Sequence, residues 1–401
     1  MEDGMGDIIA SNQIKYILLK EGFTSVMQVM LLPEKYRGLS LYVDRSYCHY
    51  FSKMDDLHFS HFSSDIQNAI SDCDMLFQLP TLYPFWDELV KKLKPKSFFT
   101  LAEYGFINSS WATPKNEKTL SMGLHFLEIG ILIKNDEEQV KECPSIEEKI
   151  APLLTWEQFL LHSDFIFAYL KDMSGLFVLL SIALKKYAHS PKNLVIALTD
   201  ASLFLQLICD GKISLENHHI KELRVRLKDA KYRIPISSKG KCLEIIELGS
   251  LTPTEVSFLY QNSRSLCACR GNQGFSEVVS LNALYFYDPA PHAQPFLLDL
   301  YAVASRRIKA FPSAVDYIRG FLELHHLKTK KEDLTPLAKK MADLFCQDAT
   351  TRGLLLLGGI LQKEYNASAV IPKIVLKELS NNKTLDSEQS STTKKSLMKF
   401  I

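Results

Sequence analysis

The chain lacks any apolar run of the roughly 18 residues that a membrane-spanning helix needs, so the sequence predicts no transmembrane segment. Its first residues, MEDGMGDIIASNQ, are acidic where a secretory signal would be basic and then apolar. The net charge is only +1, without the basic excess of a general nucleic-acid binder. None of the eight cysteines forms a C-x-x-C metal pair, and we expect reduced core thiols. These absences favour a cytoplasmic protein that has no transmembrane segment and does not bind nucleic acid.

The remaining composition is that of an ordinary globular protein. Of the 401 residues, 46% are apolar and 23% are charged, which allows sizeable hydrophobic cores. A chain of this length is expected to contain two or three domains.

A strand followed by a well-marked helix start lies in the second half of the sequence. The apolar run Cys242–Leu248 is short and rich in branched residues, as in a buried strand. Thr252 suits the N-cap, Pro253 the first helical position, and Glu255 the reciprocal position of a capping box.

A polar loop follows the next predicted strand, Ser265 to Cys269. The loop is Arg270-Gly271-Asn272-Gln273-Gly274, and a helical pattern resumes at Phe275. Such a loop leaves backbone N–H groups at a helix N-terminus, where the peptide dipoles favour an anion such as a pyrophosphate. A glycine-containing turn between strand and helix also occurs in doubly wound domains simply to reverse the chain, so this motif leaves both interpretations open.

The segment from Arg270 to His292 resembles the donor-binding half of the GT-B glycosyltransferases. In those enzymes a small-residue loop enters a helix that carries Ser-Glu, and a strand and a proline-marked turn follow. The matching residues here are Arg270, Gly271, Asn272, Gln273, Gly274, Ser276, Glu277, the strand Leu284–Tyr287, Asp288-Pro289 and His292. The resemblance implies that the loop holds the donor phosphates and that Glu277 accepts hydrogen bonds from the ribose hydroxyls. The glycine pattern is sparser than in many members of the family.

Strand and helix patterns alternate in both halves, which predicts an α/β fold with parallel sheets. Two Rossmann-like domains facing a cleft, with a helical C-terminal extension, would reproduce the GT-B architecture. The predicted divisions are an acceptor domain over 1–165, a helical connection over 166–190, a donor domain over 191–345, a helical extension over 346–380 and a disordered tail over 381–401. Within the first half, Tyr16–Leu19 is predicted to be a strand and GFTSVMQVMLL a helix, while Trp156–Tyr187 is expected to be helical.

The polar tail resembles the translocation signals of bacterial effectors delivered into host cells. An ordinary flexible terminus would have the same composition.

Glycosyl transfer needs positive charge for the leaving nucleotide and, where configuration inverts, a base for the acceptor. The segment Lys221–Lys241 holds eight basic and two acidic residues, and Arg270 adjoins the loop. Glu103, directly after a predicted strand, is the first candidate base, and His125 and Glu128 in SMGLHFLEIG are the next. No metal or other cofactor is predicted to be obligatory.

The resemblance implies that a sugar moves from a nucleotide-diphosphate donor, UDP- or GDP-linked, to a hydroxyl or amide of a protein, lipid or glycan acceptor. A sugar-nucleotide epimerase of the same fold is one alternative. A non-catalytic binding or scaffold protein that keeps the fold is another.

The candidate base is tested by Glu103→Gln. We expect sugar transfer to fall by roughly 10²- to 10⁴-fold, as for a lost general base, while donor affinity stays unchanged. Initial rates and calorimetric donor binding measure the two separately. Transfer at the wild-type rate would move the assignment to His125 or Glu128, or to a retaining reaction without such a base.

Overall fold

The computed structural model describes residues 5–23, 26–28, 30–33, 48–51, 62–71, 75–78, 98–102, 119–134, 140–209, 211, 213–387 and 398–400. The chain divides into two compact units. The first comprises residues 1–132 together with 365–401, and the second comprises residues 133–364.

The first unit contains a parallel five-stranded sheet, in the strand order β1-β14-β4-β5-β6, and a two-stranded parallel sheet of β2 and β3. Its elements are α1 (Met5–Lys20), β1 (Val26–Gln28), β2 (Met30–Pro33), β3 (Cys48–Phe51), α2 (Ser64–Ser71), β4 (Met75–Gln78), β5 (Phe98–Ala102), β6 (Thr119–Ser121), α13 (Ala367–Ser387) and β14 (Met398–Phe400). Helix α2 and strands β4 and β5 agree with the alternation of helix and strand patterns predicted for this half of the sequence.

Two predictions near the N-terminus were wrong. Tyr16–Leu19, predicted as a strand, lies in helix α1, because the buried residues Ile14, Ile17 and Leu18 recur at helical spacing. The segment GFTSVMQVMLL, predicted as a helix, contains the strands β1 and β2 instead. Short apolar runs of this kind suit either structure by periodicity alone.

The second unit contains a seven-stranded sheet with helices that follow its strands. Its helices are α3 (Pro144–Ile150), α4 (Trp156–His162), α5 (Met173–Lys186), α6 (Ser202–Cys209), α7 (Pro253–Asn262), α8 (Gly271–Ser280), α9 (Gln294–Arg307), α10 (Pro312–Lys330), α11 (Thr335–Phe345) and α12 (Asp348–Glu364). Its strands are β7 (Ser163–Ala168), β8 (Asn193–Leu198), β9 (Ile220–Arg226), β10 (Lys231–Pro235), β11 (Lys241–Glu247), β12 (Cys267–Arg270) and β13 (Tyr285–Asp288). The predicted α/β class is confirmed.

The strand order of this sheet is β10-β9-β11-β8-β7-β12-β13, and every neighbouring pair is parallel except β9 with β10. Strands β8 and β12 are almost entirely buried, as expected for parallel strands covered on both faces. Strand β10 is exposed along its whole length and forms the edge. The basic segment Lys221–Lys241 therefore belongs mainly to an edge hairpin, where its charges keep a sheet edge in water.

The helix start at Thr252 is as predicted. The Thr252 hydroxyl accepts from Glu255 N, and the Glu255 carboxylate accepts from Thr252 N, which completes the capping box at the start of α7.

Aromatic side chains hold α10 against β13. Tyr317 and Phe321 are fully buried, and the ring centroid of Phe321 lies 6.2 Å from that of Tyr285 and 6.1 Å from that of Tyr287. Tyr317, Phe321 and Lys328 follow one another at helical spacing, so they share one face of α10. Packing of these rings therefore positions Lys328 at the carboxyl end of β13.

The observed units divide the chain differently from the domains predicted by sequence. The predicted boundary between 165 and 166 falls inside β7, which pairs with β8 and β12 in the second unit. The predicted helical connection over 166–190 begins with the end of this strand, because its run of four apolar residues is a buried parallel strand rather than one turn of helix.

The C-terminal helices are shared between the units, with α12 in the second and α13 in the first. The tail predicted to be disordered from residue 381 continues as α13 to Ser387 and includes β14. The rest of that tail lies outside the described residues.

Within the described residues, no helix is both long and apolar enough to cross a membrane. Cys267 and Cys269 of β12 are fully buried free thiols, and burial raises the pKa of both well above the ordinary value. Protonated and enclosed, they behave as small apolar core residues.

Two glycines of α12 should respond in opposite ways to alanine. A Cβ at buried Gly353 would lie 2.4 Å from Ala314 Cβ and 2.8 Å from Phe311 Cβ, whereas a Cβ at exposed Gly359 meets nothing within 4 Å. We expect Gly353→Ala to lower the free energy of unfolding by about 1–3 kcal/mol through overpacking. Gly359→Ala should raise it by up to about 1 kcal/mol through helix propensity. Urea denaturation of both variants measures the difference, and equal effects would contradict the packing of α12 against α10.

Candidate functional site

The strand order of the second unit's sheet reverses between β7 and β12. From β7 the chain moves outward through β8, then crosses back to add β12 and β13 on the other side. Open α/β sheets bind ligands at the carboxyl ends of the strands flanking such a reversal, because the connections leave in opposite directions and open a crevice. Here the flanking connections begin at Tyr169, after β7, and at Gly271, after β12.

Asp172 begins helix α5 after the short loop that follows β7. Its Oδ1 accepts from Gly175 N at 2.9 Å, which satisfies one of the free N–H groups of the first turn. A Cβ at Gly175 would lie 2.5 Å from Asp288 Oδ1, so the absence of a side chain lets the end of β13 approach this turn.

Four charged side chains meet at this edge, and we call them the four-charge cluster: Asp172, Arg270, Asp288 and Lys328. Arg270 Nη1 donates to Asp172 Oδ2 at 2.8 Å and to Asp288 Oδ2 at 2.9 Å. Lys328 Nζ donates to Asp172 Oδ2 at 2.7 Å, to Asp288 Oδ1 at 2.6 Å and to Pro289 O at 3.2 Å. Each cation therefore bridges both carboxylates.

The two carboxylates differ in exposure and acidity. The Asp288 side chain is fully buried, and this burial raises its pKa despite the charges of Lys328 and Arg270. The Asp172 side chain is 32% exposed. Its partial burial raises its pKa, but Lys328, Gly175 N–H and Arg270 together outweigh that effect and hold the pKa below the ordinary value. Asp172 is thus the more acidic and more accessible of the two.

Helix α8 starts directly after β12, without the loop predicted over Arg270–Gly274. Gly271 is its first residue, with a φ of +72° that favours glycine, and Arg270 is its N-cap. The Arg270 side chain makes no capping bond to the first turn. Arg270 thus leads directly into α8, whose N-terminal N–H groups have no acceptors within the helix.

The other predicted loop residues form the first turn of α8. Asn272, Gln273 and Gly274 are half-buried, and the Gln273 amide nitrogen is enclosed with no hydrogen-bond partner in the described part of the chain. A Cβ at Gly274 would lie 3.4 Å from Cys269 Cβ, so this turn packs closely on β12. The first turn thus offers amide groups rather than charged side chains.

Glu277 lies in the second turn of α8, not in the first as the predicted loop implied. Its side chain is 6% exposed, and Oε1 accepts hydrogen bonds from Lys134 Nζ and Ser257 Oγ. Lys134 Nζ also donates to Ser257 Oγ at 2.9 Å. Ser276 is buried beside Glu277. This carboxylate therefore already joins three segments of the second unit.

Two further predicted residues lie at the end of β13 and beyond it. Asp288 ends the strand and belongs to the four-charge cluster, while His292 lies in the exposed turn before α9. The structure thus brings together Arg270, Gly271 and Asp288 from the predicted set.

The candidate bases belong to the first unit. Glu103 lies outside the described residues. Glu128 closes a turn between Gly123 and Gly130, where its oxygens accept from Ser121 Oγ and His125 N, each at 2.9 Å. The backbone bond to Glu128 fixes His125 in the same turn. Their assignment as bases stays a prediction.

The sequence did not predict roles for four residues of the site: Asp172, Lys328, Lys134 and Ser257. Asp172 had a local signal, since an aspartate just before an apolar helical run is typical of an N-cap. Lys328 had none, because its role depends on the packing of a helix that starts 24 residues after β13.

Neither metal ligands nor the cavity described below adds a second candidate site in the described part of the chain. Among the residues that the structure describes, no three His, Cys, Asp or Glu side chains come together as a metal site. A cavity of about 220 Å³ lies at the amino ends of strands of this sheet, opposite to the four-charge cluster. Its lining includes Ser190, His219 and Lys241. The Lys241 ammonium donates to Tyr187 O at the end of α5, so this group is engaged in capping a helix.

No protein-family model and no curated protein sequence matches the chain. Among solved structures, it is similar to that of EarP, described with the arginine glycosylation of translation elongation factor EF-P (13% identity, TM-score 0.35, 61% of this chain and 74% of that one). It is also similar to α,α-trehalose 6-phosphate synthase from Burkholderia multivorans (9%, 0.34, 82% and 76%) and to the dodecameric iron-containing heptosyltransferase TibC (8%, 0.24, 56% and 60%). Likeness at these TM-scores carries no conclusion about chemistry, which depends on the residues at the sheet edge.

Glu277→Gln separates a structural role from a ligand-binding role. Because the Lys134 ammonium would lose its charged partner, we expect the free energy of unfolding to fall by about 1–3 kcal/mol. Lys134→Met and the double variant complete a double-mutant cycle. The difference between the double variant's loss of stability and the sum of the single losses gives the interaction energy of Glu277 with Lys134. Nucleotide affinity in the same variant tests the ribose contact, which predicts a roughly ten- to hundredfold loss. Unchanged affinity with lower stability would make Glu277 a structural residue only.

Proposed function

We propose that the second unit binds the diphosphate of a nucleotide sugar at the four-charge cluster and the N-terminus of α8, and that the chain transfers the sugar to an acceptor. The observation that carries this proposal is that Arg270 and Lys328 meet at the same two carboxylates where the strand order reverses, and that Arg270 leads directly into the first turn of α8. The side chains of Arg270 and Lys328 keep 16% and 15% of their surface exposed, so a ligand in the crevice can reach them.

These groups suit the charge that develops during glycosyl transfer. The acceptor oxygen or nitrogen forms a bond to the anomeric carbon as the bond from that carbon to the diphosphate oxygen breaks, and the electron pair stays on the diphosphate. Arg270, Lys328 and the α8 dipole would stabilise the departing anion. The acceptor proton would pass to a base, for which Glu103 remains the first candidate.

Further parts of the proposal come from the sequence resemblance. The donor is UDP- or GDP-linked, Glu277 accepts from the ribose, and the acceptor is a hydroxyl or amide of a protein, lipid or glycan. For Glu277 to contact a ribose, its bonds to Lys134 and Ser257 must be shared with the ligand or exchanged. Asn272, Gln273, Gly274, Ser276 and His292 belong to the proposed site on the same resemblance. A cytoplasmic setting and delivery into a host cell are proposed from sequence composition alone.

The bonding of buried carboxylates to residues of the same unit favours one alternative function. The carboxylates of Asp288 and Glu277 are both buried and bonded within the unit, as expected if they maintain a fold rather than serve catalysis. A protein that binds a nucleotide or scaffolds a partner without turnover would have the same arrangement.

Nucleoside diphosphates should stabilise the protein by mass action, by about 2.7 kcal/mol at a hundredfold excess over the dissociation constant. Adenosine, which lacks phosphate, should have little effect. Arg270→Gln should abolish the ligand-induced shift in melting temperature, while Arg307→Gln should keep it, because Arg307 pairs with Glu364 on the surface. Absence of a shift with UDP, GDP, TDP and ADP in the wild type would remove the main support for the proposal.

Incubation with a panel of nucleotide sugars distinguishes the functions that share the fold. A transferase releases the nucleoside diphosphate, an epimerase returns an altered sugar still attached to its nucleotide, and a binding protein returns the donor unchanged.

A further inference from the structure

A single oxygen of Asp172, the more exposed carboxylate, accepts hydrogen bonds from both cations of the four-charge cluster. Asp172 Oδ2 accepts from Arg270 Nη1 at 2.8 Å and from Lys328 Nζ at 2.7 Å. Two short charge-assisted bonds to a single oxygen are the contacts that a phosphate oxygen would also make. Asp172 thus presents to Arg270 and Lys328 the same chemistry as an anionic ligand.

The Asp288 carboxylate bonds the same two cations, but unlike Asp172 it is enclosed and has no room to move away from them. Its side chain is fully buried, it bonds Lys328 and Arg270 through different oxygens, and the backbone at Gly175 lies against it. The Asp172 side chain is 32% exposed and stands in a loop between β7 and α5. Of the two carboxylates, only Asp172 can leave the cations without a buried charge losing its partners.

We propose that Asp172 is an internal competitor for the diphosphate subsite, displaced from Arg270 and Lys328 when the ligand binds. The inference rests on the proposed function and adds a residue that sets its affinity. The cluster contains two positive and two negative side chains, so its charges balance. A diphosphate beside an undisplaced Asp172 would face like-charge repulsion, whereas displacement leaves both cations to the ligand and Asp288. Competition by Asp172 therefore lowers the affinity of the subsite for weakly charged anions, which do not replace its two bonds to Arg270 and Lys328.

Asp172→Asn removes the charge and keeps the helix cap, because an asparagine oxygen accepts from Gly175 N as well as aspartate does. We expect this variant to bind inorganic pyrophosphate and UDP on the order of tenfold more tightly than the wild type, since the two cations then lose their ion pair with residue 172 and bond only a neutral amide oxygen there. Asp343→Asn is the matched control. It removes a carboxylate from an exposed ion pair with Lys185 and changes net charge equally, so affinity should stay at the wild-type value.

Titration calorimetry at fixed pH and ionic strength, with melting temperature as a check on folding, gives the answer. Equal or weaker binding by Asp172→Asn, with binding retained in the wild type, would overturn the inference and leave the proposed function standing. Absence of pyrophosphate and UDP binding in both proteins would overturn both. Asp172→Ser, which also caps a helix without charge, replaces the asparagine variant where that one fails to fold.

Discussion

Burial of the Asp288 carboxylate is the constraint on which the candidate site depends. An ionised group without water costs roughly several kcal/mol unless opposite charges surround it. Here Arg270 arrives from the neighbouring strand and Lys328 from a helix held by aromatic packing. The close approach of α5 is possible because Gly175 has no side chain. One buried charge thus fixes the relative positions of β12, β13, α5 and α10.

This requirement also concentrates positive charge where a ligand would use it. A fully buried acid needs cations close by, and the two that it holds lie where the strand order reverses. One of them, Arg270, is the N-cap residue of α8. Structural and binding roles therefore fall on the same side chains. Removing either cation would disturb both roles, so ligand-induced changes are more informative than stability alone.

Local features of the sequence were predicted correctly, and features made by distant segments were not. The capping box at Thr252 depends on residues three apart, and the apolar run Cys242–Leu248 is long enough to be recognised as a strand. The second half therefore had its α/β alternation predicted well. Tyr16–Leu19 was misassigned, because four apolar and aromatic residues fit a strand as well as a turn of helix.

Contacts between distant segments limited the prediction of the candidate site even more than that of the fold. Arg270 and Gly271 were found from the transition between strand and helix, which is a local pattern. The partners of Glu277 and Asp172 lie 143 and 156 positions away, at Lys134 and Lys328 respectively. Such pairs depend on which faces of helices pack together, and a single sequence does not state that. Glu277 consequently seemed free for a ligand when its carboxylate already bonds two residues.

The five-stranded sheet of the first unit includes β14, which lies between β1 and β4. This internal strand is therefore synthesised after the other four strands of its sheet. The second unit has all seven strands of its sheet between Ser163 and Asp288, in one continuous part of the chain. Since domains generally fold as units during synthesis, N-terminal first, this topology reverses the usual order. The unit encoded first can complete its sheet only after the unit encoded second has been made.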